Sequence, residues 1–249
     1  MLNTVVHGTA TDLPQVLIVH GLFGSARNWG AIAKRLSSDR RVVAVDMRNH
    51  GESPWFETNS YGDMADDLAA LLAGPTDVVG HSMGGKAAMM LALRAPENLR
   101  RLVIADIAPV TYAHTQMPMI EAMASVDLTN VETRRDADEQ LALRVEEPGV
   151  RAFLLQSLDV KERRWRLNLD VLAQEMASII GFPDVDGVYE GAALFLSGGE
   201  SDYVTSEHRT EIKAKFPKAR FARIPGAGHW LHAEKPRAFE DTVRLFLDA

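Results

Sequence analysis

Thr76-Asp77-Val78-Val79-Gly80-His81-Ser82-Met83-Gly84-Gly85-Lys86 decides the fold. Its first four residues read as a short, largely apolar strand, and Lys86 to Arg94 continue as a helix. The turn between them is a G-x-S-x-G with one extra glycine, the nucleophile-elbow pattern of strand, sharp turn and helix. Gly80 and Gly84 remove the Cβ atoms that would clash where strand and helix cross. Ser82 is then lifted above the sheet, and the Met83 amide sits at a helix N-terminus, aimed at any oxyanion that develops. A chance glycine-rich turn is the alternative, but it would not require a strand before it and a helix after it.

Outward from the elbow, apolar runs rich in Val and Ile recur at 4–10, 16–20, 41–46, 76–80, 101–106, 192–197 and 219–224. Helical patterns separate them at 29–36, 61–72, 83–95 and 207–216. Unalternated apolar strands suit a sheet covered on both faces. Strand–helix alternation predicts an α/β fold with a doubly wound, mainly parallel sheet over residues 1–249. Sites in such sheets form beyond the C-terminal strand ends, which here carry His20, Asp46, Gly80, Asp106, Ser197 and the loop after Ile224. Residues 108–188 break the rhythm. No convincing strand is read there, only helix-period segments at 116–125, 133–144, 149–157 and 168–179. A stretch so long is not a structureless loop, so it is read as a helical cap inserted between core strands.

Composition narrows the chemistry. The chain has 249 residues, no cysteine, and 27 basic against 34 acidic residues for a net charge of −7. That balance argues against nucleic acid as a partner. The lack of cysteine removes disulfides, thiolate nucleophiles and cysteine metal sites. No apolar run reaches the roughly 18 residues that span a bilayer, and the N-terminus has no signal-peptide pattern. A cytoplasmic protein without integral membrane association is expected.

An acyl-transfer site needs a second amide donor, and His20-Gly21-Leu22-Phe23-Gly24 follows an early strand where such a loop belongs. The amide of Leu22 is the expected donor, with Phe23 as runner-up, and His20 is read as pinning the loop. Of eight histidines, His229 lies in the glycine-rich loop Pro225–Trp230 before the last helix, completing the chain order Ser, Asp, His. Imidazole, with an unperturbed pKa near 6.5, suits the base. His232 is read as supporting it or lying at the surface, and His81 as a packing or hydrogen-bonding residue. His7, His50, His114 and His208 have no catalytic context. Although His229 and His232 share an H-x-x-H spacing, no carboxylate pattern completes a metal site, so neither metal nor cofactor is expected. Either Asp106 or Asp202 can orient His229, since both close strands beside the elbow. The turn Asp46–Pro54 is read as structural, and Lys86 as a member of an ion pair within the scaffold. Phe23, Trp230, Met123 and Trp165 are the expected substrate contacts, the last two among apolar cap residues that include Met117, Met119, Phe153 and Met176.

The strings HGLFGSARNW, DMRNHGESP, GHSMGGKAAM, ADIAPV and GAGHWLHAEKP, in this order, resemble the α/β-hydrolase superfamily across essentially the whole chain. More narrowly they are similar to small bacterial YbfF-type esterases, related to the eukaryotic ABHD11 group. The resemblance implies the α/β-hydrolase fold with a helical cap, and a serine carboxylesterase acting on short acyl esters and in some cases acyl-CoA thioesters. It places the nucleophile on Ser82, the base on His229 and the oxyanion donors on the amides of Leu22 and Met83. It favours Asp106 as the acid. Asp202 occupies the position used by the wider superfamily and is retained as the alternative. A dehalogenase branch shares the D-I-x-P string but has an aspartate nucleophile, which Ser82 replaces here. Rivals on the same three residues are thioester hydrolysis and acyl exchange onto hydrogen peroxide. A ligand receptor with a vestigial site is the rival outside enzymes.

Overall fold

The computed structural model describes all residues, Met1–Ala249. Nine strands form: β1 Thr4–His7, β2 Gln15–Val19, β3 Val42–Val45, β4 Thr76–His81, β5 Leu99–Ala105, β6 Leu158–Asp159, β7 Arg164–Trp165, β8 Ala192–Gly198 and β9 Ala219–Ile224. Seven of them make one sheet in the order β1-β3-β2-β4-β5-β8-β9. Only β1 is antiparallel to its neighbour; the other pairings are parallel. All seven apolar runs read as strands are therefore in the sheet. The first is shorter than its pattern, because β1 is an edge strand whose Val5 and Val6 face solvent.

The central strands are buried on both faces, and alternate residues feed different cores. Leu17, Val19, Val43, Val45, Leu102 and Ile104 enter a cluster of 48 buried residues. Val16, Ile18, Val42, Ala44, Val103 and Ala105 enter one of 21 on the opposite face. The helices α1 Gly30–Leu36, α2 Tyr61–Ala69 and α3 Met83–Arg94 follow β2, β3 and β4 in turn. Ser60 caps α2 by accepting from the Asp63 amide, satisfying one of the donors left free at a helix start.

Between β5 and β8 the chain adds no strand to the main sheet. It forms α4 Met117–Ala124, α5 Arg134–Leu141, α6 Pro148–Leu154, α7 Leu169–Gln174 and α8 Met176–Ile180. The expectation of no strand in this segment is corrected by a two-residue antiparallel hairpin, β6 with β7. Two-residue strands carry too little alternation to be seen in a sequence. The chain closes with α9 Arg209–Lys215, α10 Leu231–Glu234 and α11 Pro236–Asp248. No helix is long and apolar enough to cross a membrane.

Candidate active site

Ser82, Asp106 and His229 each follow the C-terminal end of a sheet strand, β4, β5 and β9. At the end of β4 the chain turns through Ser82, whose φ of 51° and ψ of −121° lie outside the regions an L-residue ordinarily occupies. The conformation is held from both sides: the Ser82 amide donates to the Ala105 carbonyl at 3.1 Å, and its carbonyl accepts from the Lys86 amide at 3.0 Å. A Cβ on Gly84 would fall onto the carbonyl oxygens of Val19 and His20. Glycine there lets α3 start against β2 and lifts Ser82 clear of the sheet.

Ser82 meets the loop after β9. Its hydroxyl lies 3.1 Å from His229 Nε2, and His229 Nδ1 lies 2.8 Å from Asp106 Oδ2. The Asp106 carboxylate is fully buried, while the imidazole keeps about a quarter of its surface exposed. A hydrogen-bonded chain of hydroxyl, imidazole and carboxylate thus runs across three strand ends. Asp106 has φ 53°, a left-handed turn that swings its carboxylate toward the loop after β8. Oδ1 accepts the amide of Gly198, the last residue of β8, at 3.0 Å, and Oδ2 accepts the Ser201 hydroxyl from the loop beyond.

Asp202 is the first correction. Its side chain is exposed and forms no hydrogen bond with His229. Its loop instead supports the other aspartate through Ser201, and presents the Tyr203 ring in a stack on His229, centroids 3.9 Å apart. Ser201 and Tyr203 carry no signal of these contacts in the sequence, because a serine and a tyrosine in a loop mark no particular partner.

On the far side of Ser82 the Gly21–Gly24 turn is drawn tight by the Gly24 amide, which donates to the Gly21 carbonyl at 3.0 Å. Phe23 adopts φ 63° within it. The N–H groups of Leu22 and Phe23 have no partner in the protein. A Cβ on Gly21 would stand 3.1 Å from the Ser82 Cβ, which measures how closely this turn approaches the hydroxyl. His20 braces it: one ring nitrogen donates to the Gly21 carbonyl at 2.8 Å and the other accepts the Met47 amide at 2.9 Å. The Asp46 carboxylate gathers the Asn3 side-chain amide and the backbone amides of Ala26 and Glu52, so the turn after β3 holds this region in place.

Around His229 the other rings are kept neutral. Desolvation holds His81 well below the usual histidine range and brings His232 to about 3. His81 donates to the His229 carbonyl at 2.9 Å, and His232 stacks on Trp29 with centroids 4.2 Å apart. Neutral neighbours do not oppose a positive charge on His229.

Ser82 and His229 open into a cavity of about 430 Å³ between the strand ends and the insert. Leu22, Phe23, Met83 and Trp230 are on its wall, as are Met119, Phe153 and Ile179. Trp165 and Met123 are not, which corrects their assignment as substrate contacts. Both are buried in the insert's own core, where the Trp165 indole donates to the Met123 carbonyl at 2.9 Å. Lys86 forms no ion pair either; it is capped by backbone carbonyls at the cavity floor.

A family model described as the alpha/beta hydrolase family matches residues 16–242. The chain belongs to that family. It is 45% identical over 257 residues to the sn-1-specific diacylglycerol lipase ABHD11 of Mus musculus, an alignment covering 98% of this chain and 83% of the relative. Esterase YbfF of Escherichia coli (strain K12) is 39% identical over 238 residues, covering 94% and 92%. A solved structure described as a marine microorganism esterase superposes with a TM-score of 0.93 at 36% identity, covering 98% of both chains. This member of the family has the alpha/beta hydrolase fold, and its near relatives are named esterases and lipases.

Proposed function

We propose that this carboxylic ester hydrolase is a serine esterase for short- to medium-chain acyl esters, working through a covalent acyl-enzyme. The observation that carries the reading is the unbroken Ser82–His229–Asp106 hydrogen-bond chain at the wall of the cavity. Ser82 Oγ attacks the acyl carbonyl and His229 Nε2 takes its proton, while Asp106 fixes the tautomer and steadies the imidazolium. Carbonyl oxygen becomes an oxyanion, received by the Met83 amide and by the Leu22 amide of the Gly21–Gly24 turn. Collapse of the tetrahedral adduct breaks the ester C–O bond, and the alcohol leaves with the proton from His229. Water then attacks the acyl-enzyme with His229 again as base, releasing the carboxylic acid and restoring Ser82. No cofactor or metal enters these steps. Residues 108–188 act as a cap, bringing apolar walls over the acyl group.

The named esterase and lipase relatives support ester chemistry. Ser82→Ala tests it: hydrolysis of p-nitrophenyl butyrate and covalent labelling by a fluorophosphonate should both disappear. Activity retained by that variant refutes the reading.

A further inference from the structure

Three cationic side chains are buried: Arg40, Arg48 and Lys86. The two arginines pair with aspartates, Arg40 with Asp39 and Asp248, Arg48 with Asp63 and Asp67. Lys86 has no carboxylate. It leaves α3 one turn after Ser82, is 1% exposed, and spends its three N–H bonds on the carbonyls of Val110 at 2.8 Å, Ile180 at 2.9 Å and Gly181 at 2.6 Å.

Those acceptors stand at the two roots of the insert. Val110 is where the chain departs after β5, and Ile180 with Gly181 is where α8 ends. The Tyr112 amide joins the roots directly by donating to the Ile180 carbonyl at 3.0 Å, and the Tyr61 hydroxyl donates to the Ile179 carbonyl at 2.6 Å. The rings of Tyr112 and Tyr61 face the ammonium, centroids 4.8 and 5.9 Å away, supplying cation–π attraction. Lys86, Tyr61, Tyr112, Ile179 and Ile180 all line the cavity.

Only an ammonium offers three donors. A neutral amine leaves one carbonyl facing a lone pair, and an apolar side chain leaves all three buried and unanswered. Desolvation pulls Lys86 down to about 7. With every donor occupied, the ammonium has none for a substrate group. What it governs is the position of the backbone it ties.

We propose that Lys86 is a specificity-determining positioning residue, which clamps the two roots of the insert and so sets the end wall of the acyl cavity. The inference rests on the esterase reading, in which this cavity receives the acyl chain.

Lys86→Met keeps an unbranched side chain, one heavy atom shorter, and removes every donor. Hydrogen–deuterium exchange on a peptide containing the Tyr112 amide should lose about tenfold or more of its protection relative to peptides of α3 and β5. The kcat/KM ratio for p-nitrophenyl decanoate over butyrate should rise by about fivefold, mainly through KM, as the end wall yields. Tyr61→Phe removes one tie and leaves the charge, so it should move both readouts the same way by less; it decides the matter if Lys86→Met does not fold. Either readout staying at its wild-type value in the folded variants overturns the proposal. A Ser82→Ala control separates the two ideas: activity there defeats the esterase reading. An inactive control beside an unmoved chain-length ratio defeats only the role of Lys86.

Discussion

Two regions face each other across the cavity, and different physics holds them. On the sheet side, Phe23, Ser82 and Asp106 all sit at positive φ, between 51° and 63°. Each such residue costs on the order of 1–2 kcal/mol. The conformations persist because the surrounding hydrogen bonds over-determine them. On the insert side no helix exceeds eight residues, and helices so short are marginal alone. They stay in place by apolar packing and a few polar ties to the scaffold: Gln156 to Asn28, Arg166 to Glu52, Asn168 to Asn49, and the Lys86 clamp. In the proposed mechanism the strand ends carry the reacting groups, and the insert supplies part of the cavity wall.

The largest expected effect lies wholly on the sheet side. Asp106→Asn should lower kcat by about 10⁴-fold, the scale of losing the carboxylate that orients a catalytic histidine. Asp202→Asn should stay within about twofold, since its side chain is exposed and unbonded to His229. Steady-state kinetics of the pair checks this, and the reverse ranking would move the acid to the loop after β8.

Acid should act next most strongly, and on folding. Burial brings His50 and His232 each to about 3, against an unfolded value near 6.5. The folded rings stay neutral while the unfolded chain takes up protons, so their contribution is whole above pH 6.5 and is lost as pH falls toward 3. At pH 5 the loss is about 2 kcal/mol per ring. His50 pairs with Leu167 in an isolated bridge, so one of these rings stands at the junction of scaffold and insert. Urea unfolding at pH 7 and pH 5 should show the drop. His232→Phe should remove about 2 kcal/mol of it, and a pH-independent wild-type stability would contradict the burial argument.

The smallest effect belongs to the insert. Phe153, whose ring lies 5.4 Å from Trp230, forms part of the cavity wall. Phe153→Ala should raise KM for p-nitrophenyl octanoate by roughly three- to tenfold, with kcat changed less. A loss confined to kcat would show that the insert takes part in the chemistry and blur the division drawn here.

Much of the sheet side was legible in the sequence because its signals are local. An apolar run, a glycine spacing and a helix start lie within eleven residues at 76–86, and the loops ending in Gly21 and His229 follow strands that announce themselves. The acid was not legible in this way. Asp106 and Asp202 both end neighbouring strands, and a string of letters does not show which carboxylate turns inward. In the structure Asp106, with a left-handed backbone and donors from Gly198 and Ser201, is the one that faces His229. Trp165 and Met123 were misassigned because apolar residues in the insert, Met123 on α4 and Trp165 on β7, tell that a face is buried, not which cavity it borders.

The sequence by itself determined the order of the main-sheet strands and the elbow, and offered Ser82 and His229 as hydroxyl and imidazole, since these depend on residue types at short spacing. Only the tertiary structure showed which carboxylate faces His229, the residues on the cavity wall and the partners of Lys86. Those depend on where distant backbone comes to rest, and a carbonyl group, present at every position, leaves no mark in a sequence.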